Sequence, residues 1–195
     1  MKLETYENFT KRRILKYKTR KFDDPAKNAV WNYVAGYTVS ELNKALRSGK
    51  KSKEIDAECG LIDSLMKKSY NPVLYRVVEW KYLQNIYNIN KDNIDDMLFG
   101  RFTAKGYTST TMEHKNIWGS FLKDDVFMEI ASDKYVECID VNRMFKRTEI
   151  DCWDQREILL RRNLDFTVTG HKMINENGNV SRNGKTCMLF VKILH

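Results

Sequence analysis

Four side chains stand where their types and spacing could do chemistry. Arg76 interrupts the apolar run VLYRVVEW, residues 73–80. A guanidinium drawn out of water needs a carboxylate or a phosphate opposite it, so this position is either a structural ion pair or an anion contact. Ser109 lies in a run of hydroxyls, Thr108 to Thr111, whose alternate members share one face if the segment is extended. Such a face suits a polar ligand, and it also occurs in plain sheet. Gln155 and Glu157 stand two apart, just before the apolar stretch Ile158–Leu160. At the start of a strand that spacing brings an amide and a carboxylate to one ligand, with a rigid mounting behind them. A solvated loop end would read the same way.

The elements that must hold these residues divide the chain in two. Up to residue 72 the pattern is helical. Asp23 and Asp24 precede Pro25 as a start signal, and NAVWNYVAG gives a short helix that Gly36 closes. Thr38 and Glu41 form a capping-box pattern opening a helix through ELNKALRSG, with Leu42, Ala45 and Leu46 as its buried stripe and Gly49 as its stop. Asn43 and Arg47 fall four apart on one face of that helix. A third helix is expected over 54–68, with Ile55, Leu61, Ile62, Leu65 and Met66 on its apolar side. Beyond Pro72 the pattern turns to strands: VLYRVVEW, GYTSTT, VFMEIA, YVECIDV, REILLRR, DFTVTGHKMI and TCMLFVKIL. A helix near 91–98 follows Asn90 as a cap, and NENGN (175–179) reads as a hairpin turn around Gly178. The sum is one α+β domain over 1–195, helical in 1–72 and a mostly antiparallel β-sandwich in 73–195.

Composition narrows the classes of function. With 42% apolar and 31% charged residues, 9 Gly and 2 Pro in 195, the chain is neither disordered nor collagenous. No apolar run reaches the roughly 18 residues of a membrane span, and MKLETYENFTKRR lacks the apolar core of a secretory signal peptide. Cys59, Cys138, Cys152 and Cys187 form no CxxC pair and are expected as free thiols; His114, His171 and His195 have no ligand spacing, so no metal is expected. The net charge of +8 is concentrated early: residues 1–72 hold 16 basic and 9 acidic side chains, an excess of 7. Within them KRRILKYKTRK (11–21) has seven basic residues and no acidic one, which suits either a phosphate-bearing partner or a solvated helix face. No zinc finger, RNP-like aromatic pair or Gly-rich phosphate loop accompanies it.

In order, YR at 75–76, YTSTT at 107–111 and QRE at 155–157 followed by ILLRR resemble the three motifs of the Arg-Ser-Glu class of mono-ADP-ribosyltransferases. The upstream AVWNYVAGYTVSELNKALRSG resembles the helical segment that precedes the arginine strand in that class, so the likeness spans roughly 26–170. Two departures are informative. The middle motif ends in Thr111 where the family has Ser, retaining a hydroxyl. The last motif is Gln-x-Glu, similar to the clostridial C3-like exoenzymes that modify an asparagine of small GTPases, and unlike the Glu-x-Glu members that favour arginine.

The resemblance implies an ADP-ribosyltransferase-like fold around a cleft for NAD, with NAD as substrate and no metal. It implies that Glu157 stabilises the cationic sugar, that Ser109 holds Glu157 and touches the nicotinamide side, and that Gln155 orients the acceptor. It further implies that Asn43 and Arg47 meet the phosphates, that Arg76 contacts the phosphate or braces the site, that Trp118 or Phe121 in the loop 112–122 stacks on nicotinamide, and that Trp153 contacts the target. The implied partner is a protein acceptor, with a small GTPase as one class and nucleic acid as another, and the implied enzyme is a monomer. It would be secreted or injected into a target cytoplasm, or made there by a phage. Two other readings stay open on the residues: a NAD glycohydrolase on the same fold, and a non-enzymatic nucleic-acid or lipid binder using 11–21.

Overall fold

The computed structural model describes residues 15, 18–113, 125–151, 153–174 and 186–195. Helix α1 (Pro25–Val34) starts where Asp24 accepts hydrogen bonds from the Ala26 and Lys27 amides, at 2.9 and 3.2 Å. Helix α2 (Val39–Ser48) ends at Gly49, whose φ of 69° glycine adopts without a Cβ penalty. The capping box expected at Thr38 does not form. Thr38 has helical rather than extended backbone angles, and its hydroxyl is buried without a hydrogen-bond partner.

Helix α3 (Lys53–Asp63), capped by Ser52, stops five residues short of the expected 68. Leu65 and Met66 still pack against the helices, but from a turn, because the chain must straighten into β1 (Lys67–Ser69) to pair with β6 (Val136–Asp140). Strand β2 (Val73–Glu79) runs straight into α4 (Trp80–Tyr87). The sequence pattern places Trp80 at the end of a strand and gives no sign of this helix. The helix expected near 91–98 is a series of turns. There the Asn90 side chain accepts from the Asp92 and Asn93 amides while Asn93 Oδ1 accepts from the Asn90 amide, local bonds that replace a helical ladder.

The remaining strands are β3 (Arg101–Ala104), β4 (Thr108–Thr111), β5 (Asp125–Ala131), β7 (Glu157–Leu160), β8 (Leu164–Ile174) and β9 (Thr186–Leu194), with a single-turn helix α5 (Val141–Met144) after β6. The hairpin turn expected at 175–179 lies outside the described residues. Among the described residues nine strands form one sheet, ordered β1-β6-β7-β4-β2-β5-β9-β8-β3, antiparallel except for β5 with β9. The two halves join through the single pair Tyr75–Thr111. They face each other across one core: Val136, Cys138, Ile158 and Leu160 from the first half meet Leu74, Val126, Leu189 and Val191 from the second.

A second core lies on the outer face of the first half, where Leu159, Ile139 and Tyr107 pack beneath Leu42, Ile55, Ile62 and Tyr33 of the helices. Strand β7 is thus buried on both faces. Cys59, Cys138 and Cys187 are buried free thiols. Among the described residues no helix is long and apolar enough to cross a membrane, and no cluster of His, Cys, Asp or Glu is arranged to hold a metal.

Candidate active site

Sheet register brings the sequence motifs together. Tyr75 on β2 lies opposite Thr111 on β4, and Thr111 lies opposite Glu157 on β7. Ser109, two residues from Thr111, shares its face and is the diagonal neighbour of Glu157. Since Leu159 belongs to the helical core, that face looks toward the helices. Between the two runs a cleft of about 370 Å³, lined by Arg76, Ser109, Thr111, Gln155 and Glu157, with Tyr33 from α1 on the helical wall. Glu157 is only 7% exposed, a carboxylate in surroundings where its field is weakly screened.

Gln155 does not reach the cleft by strand alternation. It ends a 3-10 turn (Trp153–Gln155), and Arg156 takes φ 52° before the strand begins. This leaves Gln155 exposed at the cleft while Glu157 is buried in it. The turn is held from β4, where the Thr111 hydroxyl donates to the Gln155 carbonyl and accepts from the Glu113 amide. Arg156 also pairs with Glu113 at 3.1 Å.

Arg76 is half-buried. Its guanidinium donates to the Ser109 carbonyl at 3.2 Å and lies 5.5 Å from the ring centre of Tyr82 on α4. Arg47 approaches the same ring at 5.9 Å. Among the described residues neither arginine has a carboxylate partner, so two guanidiniums meet at one tyrosine with donors to spare. This is a donor set for a diphosphate.

Asn43 is committed elsewhere. Its amide donates to the Tyr33 hydroxyl at 2.7 Å, and its oxygen accepts from the Tyr107 amide at 3.1 Å. It therefore fixes the lead-in to β4 and is not on the lining of the cleft. The fit is close: a Cβ on Gly106 would overlap Asn43 Oδ1. Tyr107 is clamped from its other end, where its hydroxyl donates to Asp63 at 2.6 Å and Arg162 grips the same carboxylate at 2.7 and 3.0 Å. Burial raises the Tyr33 and Tyr107 hydroxyls well above the usual tyrosine range, so both remain donors.

Trp153 faces inward instead of toward a target. Its indole donates to the Phe145 carbonyl at 3.1 Å, its ring packs on the helical core, and its carbonyl accepts from Asn142. Trp118 and Phe121 lie outside the described residues, as does most of the basic segment 11–21. Sequence reasoning does not single out Tyr33, Tyr82, Asp63 or Arg162. Arg162 is the second arginine of ILLRR, and Tyr107, which shares the Asp63 carboxylate with it, immediately precedes the hydroxyl run, so both adjoin recognisable motifs. Tyr82 gives no signal until α4 is seen.

The family model described as ADP-ribosyltransferase exoenzyme matches residues 7–189. Among solved structures the chain is similar to an ADP-ribosyltransferase from Clostridium botulinum, at 20% identity and TM-score 0.65, covering 89% of this chain and 88% of that one. It is similar to the Clostridium limosum C3 exoenzyme, at 18% identity and TM-score 0.66 over 90% and 87%. The C3larvin toxin, an ADP-ribosyltransferase from Paenibacillus larvae, gives 19% identity and TM-score 0.63 over 90% of each chain. No curated protein matches by sequence.

Proposed function

This chain belongs to the ADP-ribosyltransferase exoenzyme family and is an NAD-dependent ADP-ribosyltransferase; from that premise we propose that it modifies a protein at an asparagine or glutamine side chain and not at arginine. The observation carrying the proposal is the pairing of an exposed amide, Gln155, with a buried carboxylate, Glu157, on one cleft. An amide both donates and accepts, which matches another amide, whereas a carboxylate in its place would attract a guanidinium. A small GTPase is the proposed acceptor class.

The reaction separates nicotinamide from its ribose, and positive charge grows on the sugar as the neutral base leaves. In the proposed mechanism Glu157 supplies the opposing charge. Its carboxylate is fixed before the reaction and little screened, so it favours the charged transition state over the substrate. Ser109 keeps that carboxylate in place from the neighbouring strand. Arg76 and Arg47 hold the diphosphate; the free donors around Tyr82 support this. Asn43 serves indirectly by fixing Tyr107 and with it the start of β4.

Incubation with labelled NAD and an animal-cell lysate, followed by mass spectrometry of labelled protein, tests the proposal. ADP-ribose on asparagine or glutamine is the expected result. Label on arginine would overturn the acceptor assignment, and free ADP-ribose with no labelled macromolecule would make the protein a glycohydrolase.

A further inference from the structure

The connection between α4 and β3 carries features that the cleft does not use. Its inner side is firmly packed, with Ile89 and Ile94 buried in the core between the sheet halves. Its outer side exposes Leu98 at 37% and Phe99 at 78%. Phe99 has φ 63°, a left-handed conformation rare for a bulky side chain. It is held there from both sides: its amide donates to the Val168 carbonyl at 2.8 Å, and the Val168 amide donates to the Gly100 carbonyl at 3.2 Å. Glycine would adopt this φ freely, and the ring buries little, so neither backbone preference nor packing explains phenylalanine here.

The middle of this connection runs against the charge of the whole molecule: residues 92–100 hold three aspartates and no lysine or arginine, with exposed Lys91 and Arg101 just outside them. The protein carries +8, yet Asp92, Asp95 and Asp96 are all exposed beside Leu98 and Phe99. Asp95 contacts His171 at 2.7 Å; among the described residues Asp92 and Asp96 have no ion-pair partner. Gly100 then leads into β3, the last strand of the sheet, whose outer edge has no strand partner among the described residues.

We propose that Leu98 and Phe99, with Asp92 and Asp96 beside them, form a docking surface for the protein acceptor, an inference that rests on the transferase reading above. The matching patch on the acceptor is an apolar recess rimmed by lysine or arginine. A basic enzyme repels a basic surface, and a local group of aspartates reverses that repulsion at one place and fixes the register of approach. An exposed aromatic side chain on a hydrogen-bonded backbone, within a charged rim, is the kind of residue that concentrates binding energy at protein interfaces.

The test uses biotin-labelled NAD, with lysate protein as acceptor, and follows nicotinamide release to water in parallel. Phe99→Gly is the informative variant, because glycine relieves the backbone and keeps the fold. It is expected to melt at the wild-type temperature or above and to hydrolyse NAD at the wild-type rate. It should label protein tenfold or more slowly at low lysate concentration and recover as the lysate is concentrated. Asp92→Asn with Asp96→Asn should slow labelling and flatten its dependence on salt. Wild-type labelling by Phe99→Gly, or equal loss of labelling and hydrolysis, would overturn the docking surface alone. A wild-type enzyme that labels no protein would remove the transferase reading and this inference with it.

Discussion

The Thr111 hydroxyl donates a 2.5 Å hydrogen bond to the Gln155 carbonyl, tying the middle strand of the site to the turn that carries the exposed Gln155 amide. The same oxygen accepts from the Glu113 amide, so one side chain braces both ends of the approach to Glu157. Arg156 sits in the left-handed region between them and needs such bracing. Thr111→Val keeps the shape but leaves the carbonyl without its donor, a loss of about 1–2 kcal/mol, or roughly 5- to 30-fold in rate if it falls on the transition state. Transfer is expected to suffer at least as much as hydrolysis, and Thr111→Ser should restore both. Steady-state rates for the three proteins decide it; a Val variant as active as wild type would count against the bracing role.

Glu157→Gln removes the charge while preserving size and hydrogen bonding. If the carboxylate opposes charge on the sugar, both transfer and hydrolysis fall by about 10²- to 10⁴-fold, while NAD binding, which the proposed mechanism assigns to Arg47 and Arg76, persists. Calorimetric titration beside a nicotinamide-release assay separates the two. Loss of binding together with turnover would show that the carboxylate holds the substrate rather than the transition state.

Much of this site is legible in the sequence because Arg76, Ser109, Thr111 and Glu157 lie within strands, whereas Gln155 sits on a turn that alternation does not foresee. Arg76 in an apolar run, the hydroxyls of 108–111 and the QREILL segment each announce an extended element, and two-residue alternation carries Ser109 and Thr111 to one face. Spacing in the third dimension is not legible. The single pair Tyr75–Thr111 decides that the two sheet halves are continuous, and one pair leaves no pattern in a chain. Asn43 is legible as a polar residue on the face of α2, but its use in gripping Tyr107 depends on Gly106 letting the two segments approach. Helix α4 is hidden by Trp80, whose aromatic character extends the strand signal into a helical start.

Gln155→Glu tests what the exposed amide does. The substitution adds a negative charge at the cleft and leaves Glu157 and both arginines untouched. NAD hydrolysis should stay within a few-fold of wild type, labelling of the natural acceptor should fall, and small guanidino compounds should become acceptors. Quantifying ADP-ribosyl products with agmatine as acceptor gives the readout. Equal loss of hydrolysis and transfer, with no agmatine product, would remove Gln155 from acceptor selection.

Stability should be lost on the alkaline side, where buried thiol and phenol groups resist ionisation. Cys187 is fully buried between the sheet halves, and burial pushes its thiol up to about 12 from an ordinary value near 9. Tyr33, Tyr87 and Tyr107 are raised in the same direction, burial being the largest cause in each. Above about pH 9 for the thiol and about pH 10 for the tyrosines, the unfolded chain has released these protons and the folded chain has not. The native state then holds the extra protons, so stability is at its full value below pH 9 and falls as pH rises, by about 1.4 kcal/mol per pH unit for each such group. Urea midpoints should therefore be level from pH 7 to 8.5 and drop steeply above. Cys187→Val, similar in size and without an ionisable proton, should make the drop shallower. A midpoint that stays level to pH 11 would mean that these groups ionise inside the fold, and that the packing around Cys187 admits water.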